Sequence, residues 1–333
     1  MSEPDPSAVR ATVRYRLDPP PPPGQPPLTD AVGEVLRNAP DEIVLATRAG
    51  LVRIPRALVV ATRIIPATPP RRGVVAGNIE PLRLHRLVAD SWPAMETGQL
   101  GDWLLRASRG FTARGNSVLP VGDPGIPNEQ AVDWVERWYA ERRLPADVTL
   151  AGPAGFDPAR DPLGALLIER GYAVSDPSLF LTAKTAMVAA WARAVDASDA
   201  IAFECSGELT REWLTAYDGY RTGDRGAARA ILTGSPEQVF VAAREGDHVI
   251  GVGRLGRSGD WGGIAAMWVD PAYRRRGVAS GLVAAAAHSA QDRGIGRLHL
   301  QVWARNAAAR ALYRRAGFVA HHAYVNLRSG SCR

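Results

Sequence analysis

The stretch VDPAYRRRGVA at 269–279 sets three consecutive arginines between an apolar run stopped by proline and a glycine that opens a helix-forming segment. Upstream, IAAMWVD (264–270) is apolar enough for a buried strand, and Pro271 cannot extend one. Downstream, GVASGLVAAAAHSAQ (277–291) is rich in alanine and predicts a helix. The arginines therefore occupy a strand-to-helix turn. The first amides of a helix have no internal partners and face outward with the positive end of the helix dipole, so a pyrophosphate is a natural occupant. Gly277 lets the backbone approach phosphate closely, and Ala279 leaves the next amide uncovered. On this reading the arginines are local charge for an anionic ligand and not a clamp for nucleic acid.

The pattern continues after the next strand, RLHLQVW (297–303). Asn306 starts the segment NAAARALYRRAGF (306–318), and Tyr313 follows it by seven residues, which puts both on one helix face. These two segments, in this order, resemble the GNAT superfamily of acetyl-CoA-dependent N-acetyltransferases over about residues 196–330. The resemblance implies a mixed twisted sheet flanked by helices, with acetyl-CoA as co-substrate, an amine as acceptor and no metal. It matches Arg274, Gly277 and Ala279 to the pyrophosphate loop, with Arg275, Arg276, Val278 and Ser280 supplying neighbouring amides. It implies that Met267 and Val269 line the splayed fourth strand beside the pantetheine and that Asn306 contacts the cofactor or orders the site. Tyr313 matches the tyrosine that protonates the departing thiolate, and a phenol of pKa about 10 is a competent donor to a thiolate. The residues taken alone also allow a packing tyrosine and a plain N-cap.

Composition sets the frame for this reading. The chain has 333 residues, 46% of them hydrophobic and 22% charged, as in globular proteins, and no apolar run of spanning length. Met1–Ser7 carries neither a basic nor an apolar signal region, so the expected location is the cytoplasm and no membrane partner is expected. Cys205 and Cys332 show no metal-ligand spacing and read as free thiols. The net charge of +6 is spread as +3, −2 and +5 over residues 1–77, 78–195 and 196–333, which argues for weak, salt-sensitive nucleic-acid contact at most.

Three parts are expected. LDPPPPPGQPPLTD (17–30) reads as an exposed extended loop, and short β-branched runs from Asp30 to Ile65 predict a small SH3-like barrel within residues 1–70. Residues 78–185 alternate between helix and strand patterns, and residues 196–330 repeat that order. LLIERGYAV and LYRRAGFVA align at an offset that sets Gly171 opposite Gly317, Leu167 opposite Tyr313, Arg160 opposite Asn306 and Ala131 opposite Gly277. The middle block thus resembles a degenerate GNAT unit in front of a functional one, as in actinobacterial tandem proteins with an N-terminal SH3-like domain.

No carboxylate stands on IAAMWV to act as general base. Glu204, Glu208, Glu212 and Asp260 are candidates, beside deprotonation relayed by water. His299 reads as a core histidine, and strand alternation allows only one of His321 and His322 to face a cleft. A competing reading is an acyl-CoA-sensing binding protein whose barrel engages nucleic acid or a protein; retained Asn306 and Tyr313 weigh against it.

Overall fold

A computed structural model describes residues 10–22, 26–47, 50–65, 79–193, 195, 200–219 and 223–330. The chain forms two compact units, Met1–Gly73 and Val74–Arg333. No helix among the described residues is long and apolar enough to cross a membrane.

The N-terminal unit is an antiparallel sheet of β1 (Arg10–Arg16), β2 (Leu28–Asn38), β3 (Glu42–Thr47), β4 (Gly50–Pro55) and β5 (Val59–Ile65), in the order β4-β3-β2-β1-β5. Val13, Ala31, Ile43, Leu45 and Ile54 form its core. Two features differ from the sequence reading. β1 precedes the stretch expected to hold the strands, with Ala11 and Val13 buried at the period of two that a half-buried strand requires. The expected proline-rich loop is also shorter, because Leu28, Thr29 and Asp30 follow its last proline and pair with Arg16, Tyr15 and Arg14.

The second unit begins with α1 (Pro81–Leu87), the hairpin β6 (Glu96–Leu100) and β7 (Trp103–Ala107), α2 (Asn128–Ala140), β8 (Asp147–Gly152), α3 (Pro162–Glu169), β9 (Ala173–Val174) and β10 (Ser178–Lys184). It continues with α4 (Thr185–Ala192), β11 (Ala202–Ser206), α5 (Arg211–Asp218), α6 (Arg225–Thr233), β12 (Gln238–Glu245), β13 (His248–Ser258) and β14 (Trp261–Val269). The last elements are α7 (Val278–Asp292), β15 (Arg297–Trp303), α8 (Ala307–Arg315) and β16 (Val319–Arg328). NSVLPV, which reads as a strand, makes only isolated bridges, Leu119 to Leu104 and Val118 to Val148.

One mixed sheet in the order β11-β12-β13-β14-β15-β10-β16-β8 runs through this unit, with β9 also pairing β16. β10, the last strand of the first block, lies between β15 and β16 of the second. β16 in turn pairs β8 and β9 of the first. Each block lends its last strand to the other, so both share one core layer. The aligned ends are alike in detail. α3 and α8 both finish on a left-handed glycine, Gly171 at φ 80° and Gly317 at φ 92°, which only a residue without Cβ adopts at no cost. Tyr172 N donates to Leu167 O at 3.0 Å, and Phe318 N donates to Tyr313 O at 2.9 Å.

At their starts the two blocks differ from the sequence alignment. α3 is capped by Asp161, whose carboxylate accepts from Leu163 N and Gly164 N, so the cap role of Asn306 falls to Asp161 and not to Arg160. Ala131 lies inside α2, and the residue that opens that helix, as Gly277 opens α7, is Pro127.

Candidate functional site

β14 pairs in parallel with β15 only from Trp261↔Arg297 to Ile264↔Leu300. Beyond Ile264, β14 stays with β13 as far as Val269, while β15 stays with β10 as far as Trp303. The register of β13 against β14 shifts between Val252 and Arg254, and Ala266 takes φ 53°, a β-bulge that bends β14 away. The sheet therefore opens as a V, with Met267 and Val269 on one arm and Val302 and Trp303 on the other.

α8 closes the mouth of the V. Asn306 caps it by accepting from Ala309 N at 3.1 Å. Two turns on, Tyr313 is 8% exposed and meets Phe318 edge to face at 5.9 Å between ring centres. A cleft of about 430 Å³ brings Met267, Asn306 and Tyr313 together with Trp92, Arg114, Tyr217, Gln301 and Tyr324. No acidic side chain is among the described residues that line it. Glu204 instead pairs with Arg244 at 2.8 Å, and Asp260 accepts from Gly296 N at 2.9 Å. Neither these two nor Glu208 and Glu212 line the cleft.

Arg274, Arg275, Arg276, Gly277, Val278, Ala279 and Ser280 form the turn into α7 and do not line the cleft. Gly277 is the N-cap at φ 82° and makes no side-chain cap bond, and Arg275 beside it takes φ 63°. Left-handed residues at 275 and 277, just ahead of a 15-residue helix, aim its first amides outward, which fits a pyrophosphate. Arg276 pairs with Glu245 and lies 5.0 Å from the centre of the Tyr273 ring, so it is already held at this turn.

Behind the cleft the polar groups are buried and mostly bonded, although His299 Nδ1 has no hydrogen-bond partner among the described residues. Arg254 is fully buried and donates to Leu232 O, Ser91 O and Ser235 Oγ, each at 2.7 Å. Burial, with the Arg114 charge, brings its pKa down to about 9. Arg106 donates to Ser117 O at 2.9 Å and to Ser117 Oγ at 2.8 Å, and burial lowers it to about 10. His299 stacks on Phe180 at 5.2 Å, and its Nε2 lies 3.0 Å from Ser91 Oγ. Gly263 makes this possible, since a Cβ there would stand 2.6 Å from Ser91 Oγ and 2.7 Å from His299 Nε2. Burial pushes His299 down to about 3.

His322 Nε2 is 2.9 Å from His85 Nε2, and His322 Nδ1 is 2.7 Å from His321 Nδ1. The two adjacent histidines thus turn their rings together despite starting on opposite faces of β16. Burial, with His321 beside it, lowers His322 to about 3, and burial holds His85 well below its usual value.

The sequence reading did not reach the other half of the cleft. Trp92 follows the helical turn Ala89–Ser91, and Arg114 sits on the turn Ala113–Gly115. Trp92 ends the helix-like segment EPLRLHRLVADSW and Arg114 lies in none, and neither belongs to a motif. They meet each other across 22 residues and meet Met267, Gln301 and Tyr313 across more than a hundred, so no local pattern marks them.

The model of the acetyltransferase (GNAT) family matches residues 205–318, and that of the Rv0428c N-terminal Sm-like domain matches residues 6–63. The chain is 34% identical over 136 residues to the probable histone acetyltransferase Rv0428c of Mycobacterium tuberculosis, a match spanning 41% of this chain and 41% of that protein. It is 26% identical over 250 residues to the uncharacterized N-acetyltransferase YobR of Bacillus subtilis, spanning 73% of this chain and 96% of that protein. In fold it is similar to a GCN5-related N-acetyltransferase from Kribbella flavida (TM-score 0.56, 14% identity, 75% of this chain and 96% of that one). It is also similar to a tandem GNAT protein from the clavulanic acid biosynthesis pathway (TM-score 0.52, 12% identity, 66% and 74%).

Proposed function

We propose, from the premise that this chain carries a GNAT-family acetyltransferase domain at residues 205–318, that it transfers acetyl from acetyl-CoA to an amine by direct attack. The observation that carries this reading is the opening of the sheet beyond Ile264 and Leu300 onto Tyr313, with the Gly277 turn at the far end of β14. The residue roles and the division between residues 78–185, without a cofactor site, and residues 196–330, with one, belong to the same proposal.

Acetyl-CoA supplies the acetyl group as a thioester, and amide formation requires that the amine lose a proton and the sulfur gain one. Arg274 and the amides from Arg275 to Ser280 would hold the pyrophosphate against the positive end of α7. The bend at Ala266 leaves the backbone of Met267 and Val269 turned from β15, free to pair with the amides of the pantetheine arm. Asn306 fixes the first turn of α8 and so the height of Tyr313, whose hydroxyl donates the proton to sulfur. Trp92, Tyr217 and Trp303 line the mouth with apolar rings, which limits water at the reacting carbon. The amine proton leaves to solvent, since no carboxylate is among the described cleft residues.

The test is CoA release, followed by a thiol reagent, with acetyl-CoA and a panel of cationic, neutral and anionic amines. Amine-dependent release is expected. Tight acetyl-CoA binding with no amine-dependent release would replace the enzyme with the acyl-CoA sensor.

A further inference from the structure

Resting on the transfer reading, we infer that the acceptor amine carries an anionic group, a carboxylate or a phosphate, and that Arg114 recognises it. The first observation is the chemistry of the cleft wall. Arg114 is the sole cation among the described lining residues, and none of those residues is acidic. A site built for a polyamine or an amino sugar carries carboxylates to pair with its ammonium groups, and this wall has the opposite sign.

The second observation is the field behind that wall. The guanidinium carbons of Arg114 and Arg254 lie 5.1 and 5.6 Å from the centre of one ring, that of Trp92, which itself lines the cleft. Arg254 and Arg106 spend their hydrogen bonds on carbonyl and hydroxyl oxygens alone. The charge of Arg254 is therefore spread towards the cleft with no carboxylate to cancel it, while that of Arg106 is offset in part by the buried carboxylate of Asp147. Low-dielectric walls of one sign focus the potential and draw a counter-ion in. The Arg114 charge is felt widely here, since it lowers His85, His299, Arg106 and Arg254 alike.

The third observation is that the turn presenting Arg114 is built to hold still. Asn116 is buried and uses its whole amide: Oδ1 accepts from Ser108 N at 2.7 Å and Gly110 N at 2.9 Å, and Nδ2 donates to Phe111 O at 2.9 Å and Thr112 O at 2.7 Å. Thr112 takes φ 61°, and its Oγ1 accepts from Trp92 Nε1 at 3.1 Å, tying the turn to the indole. The guanidinium carried by this fixed turn, set over the Trp92 ring, has the planar fork suited to a carboxylate or a phosphate.

The same positive potential accounts for the absent base. It disfavours the ammonium form of a bound amine, so more of the acceptor is neutral and able to attack without a carboxylate to take its proton. The anionic group then supplies the binding that the ammonium would otherwise lose.

Matched acceptors test this: an aromatic amino acid, its amide and its decarboxylated amine, with an aminoalkyl phosphate as the phosphate arm. The wild-type chain should show kcat/KM at least tenfold higher for an anionic member than for the amide or the decarboxylated amine. The ratio between the carboxylate and phosphate arms identifies which anion is preferred. Arg114→Ala should bring the preference within about twofold, Arg114→Lys should keep part of it, and acetyl-CoA affinity measured by calorimetry should be unchanged in both. Equal or better turnover of amides and cationic amines overturns the inference alone, as does a preference that survives Arg114→Ala. CoA release with none of the amines, despite acetyl-CoA binding, overturns the transfer reading and this inference with it.

Discussion

Lowering the pH from 7.5 to 5 should destabilise the C-terminal unit by charging histidines that the fold keeps neutral. His299 and His322 are both held at about 3 by burial, against an ordinary value of about 6.5 in the unfolded chain. Because the folded value lies below the unfolded one, their contribution is fully present above about pH 6.5 and is lost as the pH falls towards 3. At pH 5, about 1.5 units below the unfolded value, each imidazole costs about 2 kcal/mol, and the pair about 4 kcal/mol. His85, displaced in the same direction, adds to the loss. That sum is a large part of the ~5–15 kcal/mol that holds a domain together. All nine tryptophans lie after residue 73, so urea unfolding followed by indole fluorescence reports the C-terminal unit alone. His299→Gln and His322→Gln remove one titrating group each, and the difference between stabilities at pH 7.5 and pH 5 should shrink by about 2 kcal/mol in each variant. A variant that keeps the parent's full difference would show that its imidazole is not held neutral, and the burial argument would fail for that site.

Two further outcomes follow from single side chains. Tyr313→Phe should leave acetyl-CoA affinity nearly unchanged and lower kcat by about 10²-fold, measured with an acceptor for which chemistry limits the rate; turnover within about twofold of the parent would mean that the proton comes from elsewhere. Asn116→Ala strips four backbone groups of their partners, two of them buried and two partly buried, at about 1–3 kcal/mol for each buried one before relaxation, so urea unfolding should show a loss of about 3–5 kcal/mol; a loss under about 1 kcal/mol would mean that the turn carrying Arg114 is not held by this amide.

The proposed cofactor half of the candidate site can be drawn from the sequence alone because the residues assigned to it are local. Gly277, the arginines before it and the helix after it lie in one short run, and Asn306 and Tyr313 share one helix. The strand RLHLQVW is β15, residue for residue. The acceptor half is not legible, because Trp92, Arg114 and Tyr217 meet across segments that no period connects. The exchange of β10 and β16 escapes for the same reason, since pairing partners leave no mark in either strand alone. β11 and α6 are not legible in sequence because AFECS mixes polar and apolar residues without a clear period and RGAARAILT carries a glycine in its first turn. His321 and His322 show the limit of alternation: it fixes where side chains start, while χ angles let two neighbouring rings meet.

The account rests on one cofactor site at the turn into α7, and titration calorimetry of acetyl-CoA into the wild-type chain and Gly277→Glu tests it most directly. A glutamate at a left-handed position would strain the turn and set a carboxylate where the pyrophosphate is expected. One equivalent bound by the wild-type chain, and none by a folded Gly277→Glu variant, is the predicted result. Two equivalents in the wild type, or undiminished affinity in the variant, would contradict it.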